Sequence, residues 1–211
     1  MSTPYDLRAA ERALSEADRA LASVIARCGA CTLVVEPIED PYHALLKAIV
    51  YQQLSGKAAG TIHRRVLELD PERRMDPETV LALPDEALRG AGLSRNKLAA
   101  IQDLSRKTLD GTVPRMADLH DLSDYEIIDR LSAVRGVGRW TVEMLLIFNL
   151  GRPDVLPSTD LGVRKGFQLL DGSDDLPTPR TLEAYGERWR PFRSIASWYL
   201  WRLVDGDGAN W

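Results

Sequence analysis

A carboxylate and a glycine turn are the parts of this sequence best suited to chemistry. Asp160 stands twenty residues after Trp140, which itself follows the turn Gly136-Val137-Gly138 closely. The amides of a Gly-x-Gly turn between two helices, with the N–H groups that open the second helix, can bind a phosphate. A carboxylate beside a bound nucleotide can stabilise positive charge at C1′ of the sugar or orient an attacking water. The spacing therefore predicts chemistry on a nucleotide that the turn holds.

Two predicted helices position the glycine turn. Ser123 and Glu126 have the spacing of a capping box, so the first helix should begin near Asp124. The second should cover Arg139–Leu150 and be buried on most of its circumference. Glycine in the turn relieves the Cβ clash at positive φ and lets another backbone approach. A plain connector between packed helices would carry the same two glycines.

Asp160 also has a purely structural interpretation. An apolar helix is predicted to begin at Leu161, and aspartate is among the best N-cap residues. The cap and the catalytic role do not exclude each other, since a capping carboxylate can still face a ligand.

Composition sets wider limits. The chain of 211 residues carries a net charge of −4, whereas proteins that bind nucleic acid usually have a basic surface. Residues 131–203 nevertheless carry ten Lys/Arg against eight Asp/Glu, so positive charge is enriched around the turn. Cys28 and Cys31 lack a second ligand pair and are interpreted as ordinary thiols. No apolar run approaches the length of a membrane span, and we expect a cytoplasmic protein, associated with the nucleoid in a bacterium.

Helix start signals recur along the whole chain and predict an all-α fold. One long amphipathic helix is expected from Pro4 to about Arg27. We expect a single unit over residues 1–211, with a central helical subdomain at about 40–115. A second subdomain would combine about 116–211 with the N-terminal residues 1–39, and the two-helix motif would cover 123–149.

Four ordered motifs carry a resemblance to a known family. Leu131-x-x-Val134-x-Gly136-Val137-Gly138-x-x-Thr141 resembles the helix–hairpin–helix motif of DNA-binding proteins. With Pro157-x-x-Asp160-Leu161, it is similar to the helix–hairpin–helix DNA glycosylase superfamily. Four motifs are similar to its alkylation-repair branch, 3-methyladenine DNA glycosylase II. They are Gly138-Arg139-Trp140-Thr141, Pro157-x-x-Asp160-Leu161, the segment from Glu187 to Ser194 with Trp198 and Trp201, and the segment from Ala48 to Ser55.

The resemblance implies two closely packed helical subdomains with an active-site cleft between them. Bifunctional members carry a Schiff-base lysine where this chain has Trp140, so a monofunctional hydrolase without lyase activity is implied. The iron–sulfur members have four C-terminal cysteines, and no cysteine follows Cys31 here, so no cluster is expected.

Roles for individual residues also follow from the resemblance. Asp160 would be the catalytic carboxylate, and the walls of the base pocket would be Trp140, Met144 and Trp201. N3- or N7-methylated purines are cationic, and an indole stacks well on a cationic ring. Met144 departs from the aromatic residue that relatives carry. The residues implied in DNA binding are Gln52, Gln53, Leu54, Gly136, Gly138, Arg139 and Thr141. Gln53 or Leu54 would fill the gap left by a flipped nucleotide.

The resemblance also implies which cofactors and partners the protein would have. No cofactor is required, but the main-chain carbonyls of Ser132, Val134 and Val137 would bind a structural Na⁺ or K⁺. The expected partner of a monomeric enzyme is double-stranded DNA with alkylated bases, with no membrane partner. Two alternatives stay open: a non-catalytic helix–hairpin–helix DNA-binding module, and a glycosylase for a different lesion.

Overall fold

The computed structural model describes residues 3–206, and regular structure in this part of the chain is helical, without β-strands. The predicted all-α fold class is confirmed. The helices, in chain order, are α1 (Leu7–Ala17), α2 (Arg19–Cys28), α3 (Pro41–Tyr51), α4 (Gly56–Leu67), α5 (Pro77–Ala82), α6 (Asp85–Gly90), α7 (Arg95–Leu109), α8 (Met116–Leu119), α9 (Asp124–Ser132), α10 (Arg139–Phe148), α11 (Leu161–Asp171), α12 (Pro179–Gly186), a 3-10 helix (Glu187–Trp189) and α13 (Arg193–Asp205).

The chain forms two compact units. Ile38–Val142 is the first, here called the central unit, and it contains the helix–hairpin–helix turn. Of the residues that the structure describes, those up to Pro37 and those from Glu143 onward form the second, the terminal unit, so Asp160 belongs to it.

The core of the central unit is built around α3 and α7. The apolar face of α3 buries Leu45, Leu46, Ile49 and Val50. Tyr42, on the same helix, is buried and donates its hydroxyl to the Met75 carbonyl at 3.0 Å. A buried polar group needs such a partner, and here the bond fixes the loop that precedes α5.

The N-terminal helix differs from its prediction. A single helix from Pro4 to about Arg27 is wrong, because the chain forms α1 and α2 with a break at Asp18. The Asp18 side chain accepts from the first N–H groups of α2, those of Ala20 and Leu21, and so caps a new helix. Its second oxygen accepts the indole N–H of the buried Trp189 at 2.8 Å, which holds the break inside the terminal unit.

Close packing of α11 against α13 positions the residues that matter for chemistry in the terminal unit. A Cβ on Gly166 would lie 2.1 Å from the Leu200 carbonyl oxygen, so only glycine fits at this crossing. The crossing fixes the start of α11, where Asp160 stands, relative to Trp201 on α13. Trp189 and Trp198 are buried in the same unit, as core residues.

The two cysteines carry no disulfide. Cys28 is half-buried and Cys31 is buried, and both are free thiols. Within residues 3–206, none of the helices combines the length and the apolar character that crossing a bilayer would need.

Candidate functional site

Asp160 is the N-cap residue of α11 and holds a fixed carboxylate at a half-buried position. Its Oδ1 accepts the backbone N–H of Val163 at 2.7 Å, which is the capping bond predicted from the sequence. The same oxygen accepts the indole N–H of Trp201 at 2.8 Å. Hydrogen bonds to an ionised carboxylate are stronger than neutral ones, so two donors fix the side chain firmly. Asp160 is not sealed in the core, because part of it reaches the surface.

Trp201 is held from two sides. Besides its bond to Asp160, its ring stacks on Phe148 with centroids 5.8 Å apart and planes inclined by 28°. Trp201 is half-buried, so its indole is partly accessible. Together, Asp160, Trp201 and Phe148 place an acid beside an aromatic surface within the terminal unit.

Gly162 makes the contact between Trp201 and Asp160 possible. A Cβ at this position would lie 2.8 Å from Cδ1 of Trp201 and 3.1 Å from Oδ1 of Asp160. Real Cβ atoms essentially never come as close as 2.8 Å, so a larger residue would displace the indole. The sequence prediction did not single out Gly162, although its place two residues after a capping acid was visible.

Phe148 is a second residue that the prediction did not assign to the site. Met144 lies one helical turn before it on α10 and is half-buried. Residues four apart lie on the same face of a helix, so Phe148 lies on the face of α10 that carries the predicted pocket residue Met144. The spacing between Met144 and Phe148 is visible in the sequence, but the stacking of Phe148 on Trp201 of α13 is not.

The glycine turn, residues 133–138 and here called the hairpin turn, has a buried side and an exposed side. Val134 and Val137 are buried, and the N–H of Val137 donates to the Val134 carbonyl at 3.0 Å. Gly136 has a φ of 77°, a left-handed conformation that favours glycine. Gly138 is not among the positive-φ residues, and a Cβ there would meet nothing within 4 Å. The first glycine therefore shapes the turn, and the second leaves its outer surface open.

The start of α10 follows the hairpin turn and is exposed. Arg139 is exposed, Thr141 is half-buried, and 49 % of Trp140 is accessible, which is unusual for an indole. The capping box predicted on α9 is confirmed, with Ser123 and Glu126 bonded reciprocally. The turn is thus held between two well-defined helices with its open side towards solvent.

Residues 52–55, the wedge turn, connect α3 to α4 in the same unit. Gln52 caps α3, and Gln53 has a φ of 56°, a conformation that costs a residue with a side chain about 1 kcal/mol or more. Leu54 is 40 % exposed, a large apolar side chain at the tip. Gln52 does not simply face solvent, because its side-chain amide donates to the Gly136 carbonyl at 2.8 Å. This bond ties the wedge turn to the hairpin turn.

Comparison with known proteins places this geometry in a family. The sequence matches the HhH-GPD superfamily base excision DNA repair protein family over residues 46–191, which includes both turns and Asp160. DNA-3-methyladenine glycosylase 1 of Schizosaccharomyces pombe is 37 % identical over 165 residues, which are 78 % of this chain and 72 % of that protein. The alkylbase DNA glycosidase-like protein mag2 of the same organism is 31 % identical, and the match covers 96 % of each chain.

A solved structure supports the same grouping. The 3-methyladenine DNA glycosylase Mag1 of Schizosaccharomyces pombe, solved in complex with abasic DNA, is 33 % identical with a TM-score of 0.75. The match covers 96 % of this chain and 100 % of that one. The match over residues 46–191 covers more than half of this sequence, and the chain therefore belongs to the HhH-GPD superfamily of base excision DNA repair proteins.

Proposed function

We propose that this protein is a monofunctional DNA glycosylase that removes alkylated bases from duplex DNA and so initiates base excision repair. The observation that carries the proposal is the carboxylate of Asp160, held at a half-exposed helix start by Val163 and Trp201. The relative named DNA-3-methyladenine glycosylase 1, which is 37 % identical, supports the choice of alkylated bases.

The reaction is a hydrolysis at C1′ of the damaged nucleotide. The bond between C1′ and the base nitrogen breaks, and its electron pair leaves with the base. A purine methylated at N3 or N7 is cationic before the step and departs as a neutral molecule, so it is already a good leaving group. The sugar acquires oxocarbenium character, which the negative charge of Asp160 stabilises. The oxygen of a water molecule then bonds to C1′, one proton is released, and an abasic site remains.

Aromatic side chains would recognise the base. A cationic ring stacked on an indole gains roughly 0.5–2 kcal/mol beyond simple burial. Trp140 and Trp201 are the proposed stacking residues and Met144 a further pocket residue. The exposed half of the Trp140 indole and the accessible part of Trp201 support this role. Position 140 offers no amine, so Schiff-base formation and strand cleavage are not part of the proposal.

The two turns of the central unit would hold the DNA. The open amides at Gly136 and Gly138, with Arg139 and Thr141, would bind a phosphate beside the lesion. Leu54 is the proposed wedge, because exposed apolar side chains are the usual residues inserted into the base stack. Gln53 would contact the bases next to it. The enzyme would act as a monomer on double-stranded DNA.

A structural Na⁺ or K⁺ at the hairpin turn is part of the proposal. The carbonyl oxygens of Ser132, Val134 and Val137 would bind it. The Val134 oxygen accepts one N–H, that of Val137, and a carbonyl oxygen has two acceptor lone pairs. The turn is therefore compatible with such an ion, which would neutralise part of the charge of a bound phosphate.

Base release from methylated DNA tests the function. Purified protein is incubated with DNA treated with a methylating agent, and free bases are separated by chromatography. We expect 3-methyladenine or 7-methylguanine in the supernatant, with strand breaks that appear only after alkali treatment of the abasic sites. Binding to the DNA without release of any base would replace this proposal with the non-catalytic DNA-binding module.

A further inference from the structure

Helix α7 contacts both turns that the proposed function assigns to DNA. Its contact residues are spaced by three, three and four positions, which places them along one side of the helix: Lys97, Ala100, Asp103 and Lys107. The first and the last are about 15 Å apart along the axis, at 1.5 Å per residue. One helix thus spans the distance between two separate loops of the central unit.

Lys97 holds the wedge turn. Its ammonium donates to the carbonyl oxygens of Val50 at 2.7 Å and Gln52 at 2.8 Å. Both oxygens belong to the end of α3, where carbonyls lack helical partners and the helix dipole is negative. Removal of the ammonium from water lowers the pKa of Lys97, but the side chain still satisfies two orphan acceptors. The next residue, Gln53, has the left-handed backbone of the turn, so Lys97 supports a conformation that is otherwise unfavourable.

Asp103 and Lys107 hold the hairpin turn from the other end of α7. Asp103 accepts the backbone N–H of Arg135 at 2.8 Å, and Lys107 donates to the Ala133 carbonyl. The two side chains also form an ion pair with each other at 2.8 Å. Burial acts to raise the pKa of Asp103, but the bonds from Lys107 and Arg135 outweigh it and keep the pKa below its ordinary value. The pair therefore fixes one donor and one acceptor of the turn's backbone.

Two further contacts complete the arrangement. A Cβ on Gly136 would lie 3.4 Å from Cβ of Ala100, so the hairpin turn packs directly on α7 through small residues. Gln52 then connects the two turns through its bond to the Gly136 carbonyl. The wedge turn, the hairpin turn and α7 therefore form one connected set of contacts within the central unit.

We propose that Lys97 is a positioning residue that, together with Asp103 and Lys107, sets the location of the Leu54 wedge relative to the phosphate-binding hairpin turn. The proposal rests on the proposed function, because it assigns DNA contact to both turns. In this arrangement, insertion of Leu54 into the base stack depends on Lys97, which holds the wedge turn from α7. If the Leu54 side chain is misplaced by a fraction of an ångström, flipping of the nucleotide and release of the base should become slower. Non-specific DNA binding should be unchanged.

The test uses a duplex with a tetrahydrofuran abasic analogue and a neighbouring 2-aminopurine, whose fluorescence rises when its stacking is lost. This readout needs no catalysis. Lys97→Met keeps the aliphatic chain and removes the donor, and Arg95→Met is a matched control at an exposed position of the same helix. We expect Lys97→Met to lose the fluorescence rise and to release methylated bases about tenfold more slowly or worse. Its affinity for undamaged duplex should stay within about twofold of wild type, and Lys97→Arg should recover most of the loss.

A folded Lys97→Met protein with wild-type fluorescence and wild-type base release would overturn the positioning role. If Lys97→Met does not fold, Lys107→Met replaces it, since this half-buried side chain keeps its aliphatic part but loses the donor to the Ala133 carbonyl. Wild-type behaviour of that variant would overturn the proposal equally. A double variant Lys97→Met/Lys107→Met should lose no more than the worse single variant, because both act on one set of contacts.

The same measurements separate this proposal from the proposed function. Wild-type protein that unstacks 2-aminopurine but releases no methylated base would contradict the glycosylase activity and leave the role of Lys97 standing. Wild-type protein that releases base without any fluorescence rise would contradict the positioning of a wedge and leave the activity standing.

Discussion

The indole nitrogen of Trp201 lies 2.8 Å from Oδ1 of Asp160, so the proposed base-stacking residue also orients the proposed catalytic carboxylate. The contact joins α13 to the start of α11 inside one compact unit. It predicts that Trp201 contributes to the reaction in two separable ways, as a ring and as a hydrogen-bond donor.

Trp201→Phe tests the donor alone. The phenyl ring keeps an aromatic surface next to Phe148, but the N–H is lost. A hydrogen bond to a charged group contributes roughly 1.5–3 kcal/mol, so single-turnover base release should fall about tenfold or more with little change in lesion affinity. A fall in affinity with an unchanged rate would show that only the ring matters.

Gly162→Ala should disturb the same contact from the opposite side. The new methyl would lie 2.8 Å from Cδ1 of Trp201, so the indole must move away from Asp160. We expect slower base release in single-turnover assays. The tryptophan fluorescence of the protein should also change, because the surroundings of Trp201 change. Gly90→Ala is the control, because its Cβ would meet nothing within 4 Å and its backbone is not left-handed. Equal rates for the two alanine variants would contradict the account of Gly162.

The two glycines of the hairpin turn should respond differently to alanine. Gly136→Ala forces a left-handed backbone on a residue with a Cβ and should lower the free energy of unfolding by about 1 kcal/mol. Gly138→Ala has open space and an ordinary φ, so the fold should keep its stability. Its methyl would stand between a phosphate and the turn amides, and DNA affinity should fall about tenfold, or 1.4 kcal/mol. Chemical denaturation and fluorescence anisotropy measure the two effects, and a reversed pattern would contradict the assignment.

His43 should make folding pH-dependent. Its hydrogen bond to Asp40 raises its pKa above the ordinary 6.5, and the Arg74 carbonyl adds to this, although partial burial acts in the other direction. A raised pKa means that protonated His43 favours the folded state. The contribution is complete below about pH 6.5 and is lost as pH rises through the raised pKa. The difference in unfolding free energy between wild type and His43→Gln should therefore shrink from pH 6 to about pH 9. A constant difference over this range would contradict it.

Local signals in the sequence were sufficient for much of the fold. The capping box at Ser123, the proline after Asp40 and the cap at Asp160 each depend on neighbours a few residues away, and each begins a helix as predicted. The break at Asp18 was missed because helical periodicity continues across it. Its stabilising partner, Trp189, is distant in sequence, and no local pattern reports it.

The candidate site also combines residues that the sequence could identify with residues that it could not. Asp160, Trp201 and the glycines of the turn could be selected from motifs and family resemblance. The residues that support them could not be selected in this way, because Gly162, Phe148 and Lys97 act through contacts between segments far apart in sequence. A lysine that donates to two backbone carbonyls has no sequence motif.

The proposed reaction depends on the negative charge of Asp160, and Asp160→Asn tests this dependence directly. Asparagine is as good an N-cap as aspartate and can accept from Val163 and Trp201, so the variant removes the charge and keeps the shape. The measurement is the single-turnover rate of 3-methyladenine release, with affinity for abasic-analogue DNA as the control for folding and binding. We expect release to fall by about a hundredfold or more while that affinity is retained. Release by Asp160→Asn at the wild-type rate would contradict it.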